Sequence, residues 1–301
     1  MGTTRVTVVE VGPRDGLQNE SATIATADKI AFVDALSAAG LPVIEVSAFV
    51  SPTWVPQMAD AEAVFAGITR RAPTRYTALA PNLRGLDRAV SARVDEVAIF
   101  AAASESFSRR NINQSIDDSL RTYEAVCVTA RERGLRVRAY LSTAFGCPFE
   151  GAVDPGQVAA ITTRLLGMGA YEVAVSDTIG VAHPGQVRSL VPRLLSGVPA
   201  QQIALHFHDT RGTALANVLA ALDLGIRTFD ASAGGLGGCP YAPGATGNLA
   251  TEDLIYLLDG LGAETGVDLD ALIRASLAVE ETIGRPLPSR VLQARKRATY
   301  R

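Results

Sequence analysis

The chain has 301 residues, 28 Lys+Arg against 31 Asp+Glu for a net charge of −3, and 48% apolar residues, a globular balance that excludes disorder and coiled coil. At roughly 150 residues per domain the length suggests two domains, but an α/β barrel of about 250 residues is one unit, so length leaves both open. Basic runs are short, pairs such as Arg70-Arg71 or Arg109-Arg110 and one triplet, Arg295-Lys296-Arg297, which gives no electrostatic footprint for nucleic acid or an anionic membrane and turns expectation to small-molecule chemistry.

The N-terminal Met-Gly-Thr-Thr-Arg runs straight into Val6-Thr-Val-Val-Glu-Val11, without the apolar region or cleavage site of a secretory signal, and no run reaches membrane-spanning length. A cytoplasmic protein is expected. Short β-branched runs then recur at Val43–Ser47, Tyr76–Ala80, Glu96–Ala102, Val137–Thr143, Tyr171–Asp177, Ile203–His208 and Thr228–Ser232. Helical patterns fill the intervals, among them Thr26–Ala39 before Gly40, Ser115–Arg133 before Gly134, and Pro184–Leu195 with proline in its first turn. Eight strand–helix repeats without a GxGxxG after the first strand predict a (β/α)8 TIM barrel rather than an open doubly wound sheet. Residues 1–263 are read as the barrel and 264–301 as a C-terminal helical appendage of the same domain.

Barrel active sites lie at the C-terminal ends of strands. There, strand 1 runs into Gly12-Pro13-Arg14-Asp15-Gly16, a cation beside a carboxylate that would otherwise be a surface ion pair. Strand 7 carries His206-Phe207-His208-Asp209, with two of the three histidines on one strand face, a metal half-site. Barrel closure leaves only strand 8 between this pair and Asp15. Loop 8, Gly234–Asn248, holds six glycines and two prolines in fifteen residues and is expected to act as a lid. Asn248 is either the N-cap of the next helix or a ligand through its amide oxygen. Asp, two His and Asn form a mixed N/O set suited to Mg²⁺ or Mn²⁺, without thiolates that select zinc. The cysteines number three, with no CxxC. Cys239, in the glycine-rich loop, is a candidate proton donor or nucleophile, whereas Cys127 and Cys147 are expected to pack.

Together Val9–Glu20, Leu141–Gly151, Ser176–Val181, His206–Thr210 and Gly234–Asp253 resemble the 3-hydroxy-3-methylglutaryl-coenzyme A lyase family, within the metal-dependent barrel superfamily of lyases and Claisen synthases. The Arg-Asp and HxH motifs belong to the superfamily, and the Gly-Gly-Leu-Gly-Gly-Cys loop to the lyase branch. The resemblance implies metal ligands at Asp15, His206, His208 and Asn248, and catalytic groups at Arg14, Cys239, His206, Glu45 and Asp177, the last two acting as supports. It implies substrate and coenzyme A contacts at Arg14, Arg109, Arg110, Asn111, Asn113, Arg138 and Tyr140, where Tyr140 is alternatively a packed aromatic. Glu10, Gln18, Glu252 and Asp253 are implied as further supports.

The resemblance further implies retro-Claisen cleavage of 3-hydroxy-3-methylglutaryl-CoA to acetyl-CoA and acetoacetate, chemistry of leucine degradation and ketone-body formation. His206 or the Asp15 region would be the base, with coenzyme A as part of the substrate. A homo-oligomer is expected. Lyases for citramalyl-CoA or isohexenylglutaryl-CoA, and a condensing synthase, are the alternatives. Ser21 stands where family members carry Lys, Gly284-Arg285-Pro286 replaces Asn-Arg-Lys, and the sequence closes Thr-Tyr-Arg where some members carry a terminal cysteine, so no switch at such a thiol is expected.

Overall fold

The computed structural model describes residues 4–238 and 247–299. Eight strands, β1 (Thr7–Glu10), β2 (Val43–Ala48), β3 (Arg75–Leu79), β4 (Glu96–Ala102), β5 (Arg136–Ser142), β6 (Glu172–Asp177), β7 (Ile203–Phe207) and β8 (Thr228–Ala231), pair in parallel and close into a barrel in sequence order. Around them run α1 (Thr26–Ala38), α2 (Ala61–Gly67), α3 (Leu83–Ser91), α4 (Glu105–Ile112), α5 (Ile116–Glu132), α6 (Pro155–Gly167), α7 (Pro184–Leu195), α8 (Ala214–Asp223) and α9 (Thr251–Gly260). Each strand is followed by at least one helix, the TIM-barrel arrangement that the alternation predicts. Two more helices follow, α10 (Leu269–Ile283), which packs against α1, and α11 (Arg290–Thr299), which packs against α9.

The strands sit where the β-branched runs predict, within a residue or two, because parallel strands are buried on both faces and read as nearly continuous apolar stretches. β2, for instance, is buried at all six positions. Caps punctuate the helices as expected, with the Ser115 side chain accepting from the Asp118 backbone N–H at the start of α5. The short α4 lies outside the helices read from the sequence. It ends on Asn113 in the left-handed conformation (φ 54°), one of the few non-glycine residues that adopts it readily.

Most of the apolar core lies between barrel and helices, while Val9, Val11 and Val43 form a small separate cluster. The barrel interior carries charge instead. Register pairs His206 on β7 with Asp230 on β8, and Arg138 on β5 with Glu172 on β6. Among the described residues no helix is long and apolar enough to cross a membrane.

Candidate active site

Leaving β1, the chain makes one π-turn over Gly12–Gly16, in which the Asp15 and Gly16 N–H groups both donate to the Val11 carbonyl. Such wide turns cluster at functional sites because they re-aim side chains. Here the turn projects Arg14 and Asp15 into a cavity of about 440 Å³ at the C-terminal end of the barrel, which His206, His208 and Tyr140 also line. Arg14 Nη1 donates to Asp15 Oδ1 at 2.7 Å and its Nε to Glu45 Oε2 at 2.6 Å. Burial disfavours the Arg14 charge, but Glu45 and Asp15 outweigh that and push its pKa above the ordinary arginine range. Asp15 is half-buried, and although desolvation opposes its charge, Arg14 and the two histidines hold its carboxyl down to about 2.

His206 and His208 present their rings to the same cavity with centroids 5.2 Å apart. Among the described residues, Asp15, His206 and His208 form a group whose ligand atoms lie within 4.8 Å of one another. Burial, then the neighbouring His206, lowers the His208 pKa to about 4, so His208 is neutral and available as a ligand at physiological pH. Asn248 joins this group and is not a helix cap. It forms a β-bridge to His208, and α9 begins only at Thr251 with Ala250 in the cap position. Asn248 Nδ2 donates to Asp15 Oδ2 and to the Leu236 carbonyl, which leaves its Oδ1 buried with no partner among the described residues. His208 Nδ1 is likewise buried and unpartnered among them. One carboxylate, two imidazoles and an unspent amide oxygen fit a hard or borderline divalent cation.

The other predicted residues fall into separate roles. Tyr140 lines the cavity, donates to Glu45 Oε2 at 3.2 Å and lies between the guanidinium groups of Arg14 and Arg138, 5.3 and 5.0 Å from its ring centre. Glu45 is fully buried behind Arg14 and does not line the cavity, so it orients the arginine. Arg138, expected to contact substrate, is 2% exposed and turned into the barrel, where Glu172 and Asp230 bind its guanidinium. Asp177 accepts from the Val181 and Ala182 N–H groups and so shapes the loop after β6, and burial raises its pKa to about 6.

Gln18 and Asn111 line the cavity. Arg109, Arg110 and Asn113 are not part of its lining. Arg109 pairs with Glu105, and Arg110 stacks over Phe149 at 4.3 Å. Glu10 accepts from Gly12 N, Ala233 N and Thr251 Oγ1, while Glu252 accepts from Gly234 N and the Ser276 hydroxyl. Both therefore hold loop 8 to β1 and α10. Asp253 anchors the start of α11 through Ser289, Arg290 and Val291. Cys239 lies outside the described residues, while Cys127 and Cys147 are buried as expected.

Sequence reasoning missed Asp230 and Glu172. The available signal was an acid inside each of two largely apolar strands, Asp230 in Thr228–Ala231 and Glu172 at the start of Glu172–Asp177, where an unpaired buried charge is too costly to persist.

An HMGL-like family model matches residues 5–279. A Pseudomonas aeruginosa protein named 3-hydroxy-3-isohexenylglutaryl-CoA/hydroxy-methylglutaryl-CoA lyase is 55% identical over 290 residues, 96% of this chain and 97% of that relative. Hydroxymethylglutaryl-CoA lyase of Bacillus subtilis is 51% identical over 292 residues, 97% of this chain and 98% of its own. Among solved structures, hydroxymethylglutaryl-CoA lyase from Pseudomonas aeruginosa superimposes with a TM-score of 0.95 at 55% identity, covering 98% of each chain. An Acinetobacter baumannii HMG-CoA lyase in complex with coenzyme A and 3-methylmalate does so at 0.92 and 40% identity, covering 96% of this chain and 95% of that one.

Proposed function

This chain belongs to the HMGL-like family and is a carbon–carbon lyase, and we propose that it cleaves 3-hydroxy-3-methylglutaryl-CoA to acetyl-CoA and acetoacetate at the Arg14–Asp15–His206–His208 site. One observation carries this reading: three metal-ligating side chains within 4.8 Å of one another share a cavity with a buried guanidinium. Asp15, His206, His208 and Asn248 would hold a divalent cation, Mg²⁺ or Mn²⁺ by the hardness of the set, with His206 leaving the ligands when its one free lone pair takes a proton. When bound, the cation lowers the pKa of the substrate's tertiary hydroxyl and orients it with the neighbouring carboxylate.

His206 takes the hydroxyl proton, since Asp15, held to about 2, is a weak proton acceptor near neutral pH. As the C2–C3 bond breaks, C3 becomes the ketone carbon of acetoacetate and the electron pair passes into the thioester enolate. Arg14 lies pre-oriented by Glu45 and Tyr140 and stabilises the enolate oxygen. Cys239 delivers a proton to C2. Gly238, the residue before it, lines the cavity, which supports that assignment. Asn111 and Gln18 on the cavity wall are contacts for the coenzyme A thioester arm.

A second substrate has its own observation. Val50, Val55, Leu79, Phe100, Phe107 and Ile112 also line the cavity, an apolar surface suited to a longer apolar group at C3. The isohexenylglutaryl thioester in the name of the 55%-identical relative carries such a group. The deciding experiment follows acetyl-CoA release from hydroxymethylglutaryl-, isohexenylglutaryl- and citramalyl-CoA, before and after chelation. Chelation should abolish turnover and Mg²⁺ or Mn²⁺ restore it. Full activity in metal-free protein would overturn the mechanism, and turnover of citramalyl-CoA alone would overturn the substrate.

A further inference from the structure

Asp230 is a buried acid outside the proposed ligand set. It is 1% exposed at the end of β8, directly across the ladder from His206. Its Oδ2 lies 3.3 Å from His206 Nδ1. Arg138 grips both oxygens, with Nη2 donating to Oδ1 at 2.7 Å and Nη1 to Oδ2 at 3.2 Å, while Arg138 Nε donates to Glu172 Oε1 at 2.7 Å. Such a two-pronged grip fixes the plane of the carboxylate as well as its position.

The protonation of the pair follows from this geometry. Both Asp230 oxygens face N–H groups of Arg138, which has no acceptor to receive a carboxyl proton, so this two-pronged contact is that of a carboxylate. An ionised carboxylate only accepts hydrogen bonds. The ring nitrogen facing it must therefore carry the proton, and a neutral imidazole with hydrogen on Nδ1 has its lone pair on Nε2. Tyr140, edge-on at 6.3 Å, and His208, at 5.2 Å between centroids, make face and edge contacts that do not select a tautomer, and the Asp15 carboxylate lies within 4.8 Å of the ring's ligand atom on the cation side, where it does not compete for the Nδ1 proton.

The geometry points to Asp230 as a positioning residue: gripped by Arg138, it holds His206 in the Nδ1–H tautomer and so frees Nε2 to bind the cation or take the substrate proton. Arg138 thereby acts two residues removed from the substrate. What Nε2 then does rests on the metal-site reading above, whereas the tautomer rests on the contact alone.

Replacing Asp230 with Asn tests this without changing shape. Arg138 has donors only, so the introduced amide must turn its oxygen toward the guanidinium and its NH₂ toward His206, which then has to accept on Nδ1 and carry hydrogen on Nε2. Nitrogen-15 NMR of the metal-free protein reads the tautomer directly, because the chain has three histidines, separable with single-histidine variants. His206 should be Nδ1–H in the wild type and Nε2–H in Asp230→Asn. Mn²⁺ affinity, titrated without substrate, should fall about 10- to 100-fold in the folded variant. Glu172→Gln perturbs Arg138 without touching His206, and should leave both the tautomer and the Mn²⁺ affinity near wild type.

A wild-type His206 carrying hydrogen on Nε2 overturns the inference, and this result needs no variant to fold. Unchanged Mn²⁺ affinity in folded Asp230→Asn, or an equal loss in Glu172→Gln, overturns it as well. An Nδ1–H wild type that binds no Mn²⁺ would support the tautomer and defeat the metal-site reading instead.

Discussion

Arg14 and Asp15 are neighbours in sequence and bonded in space, yet their removal should have opposite signatures. Asp15→Ala or His208→Ala deletes a ligand, so metal titration should show lost binding and turnover should fall with it. Arg14→Ala should keep the metal and lose about 10²–10³ in rate or more, the scale for one preorganised electrostatic donor. It also strands Glu45, which is fully buried and otherwise held by Tyr140 alone among the described residues, and such stranding costs on the order of 3–5 kcal/mol. Adding Glu45→Gln should recover much of that stability and none of the rate. A Michaelis constant raised alone, with the turnover number intact, would make Arg14 a binding residue.

The same residue scale shows what was legible in the sequence. HxH at the end of a strand and Arg-Asp after strand 1 could be read because each motif is contiguous and its chemistry is local. Arg138 could not, since its partners Glu172 and Asp230 lie 34 and 92 residues away and meet it only through barrel closure. The family resemblance alone makes this arginine a substrate contact. The structure turns it inward to two acids, and the role of Asp230 follows from that turn.

At the scale of elements, the described ends of the glycine-rich loop 8 fix a position that its composition expresses only as freedom to bend. These ends press together: Gly247 has φ +74°, and a Cβ there would lie 2.6 Å from the Gly235 carbonyl oxygen and 2.7 Å from that of Gly237. Both neighbours are backbone and cannot yield cheaply. Gly247→Ala should therefore displace Asn248, the next residue, from Asp15 and weaken metal binding together with activity. Gly212→Ala is the matched control, since Gly212 has φ +68° with open space around it. It should cost only the left-handed strain, about 1–2 kcal/mol, and leave metal affinity unchanged. Equal metal affinity in both variants would show that the loop's close approach does not place Asn248. Of the two readings of Asn248, that of a helix cap rested on its sequence position, and the tight ends of the loop explain why the helix starts three residues later.

At the scale of the whole molecule, the barrel's own strands were legible because a closed parallel sheet imposes the same apolar run eight times. The electrostatic couplings between its layers were not, because they depend on register. Two of those couplings make stability depend on pH. Glu10 and Glu252 pin the Ala233 and Gly234 N–H groups from opposite sides. Burial, the largest influence on each, raises both pKa values from 4.5 to about 7, and Glu252 adds like-charge repulsion to Glu10. A carboxyl with a raised folded pKa binds its proton more tightly folded than unfolded. Its stabilising contribution is complete below about pH 4.5 and is lost as pH rises through about 7. At about 1.4 kcal/mol per pKa unit, each group contributes at most about 3–4 kcal/mol to that decline. Glu252→Gln can still accept from Gly234 N through its oxygen and donate to a reoriented Ser276 hydroxyl, so it should fold while removing one titration. Denaturant midpoints of the metal-free protein at pH 5.5, 6.5, 7.5 and 8 should fall with pH in the wild type and fall less steeply in the variant. Parallel slopes in the two proteins would mean that Glu252 keeps an ordinary carboxylate pKa inside the fold, and that loop 8 is held by a charged acid across the whole range.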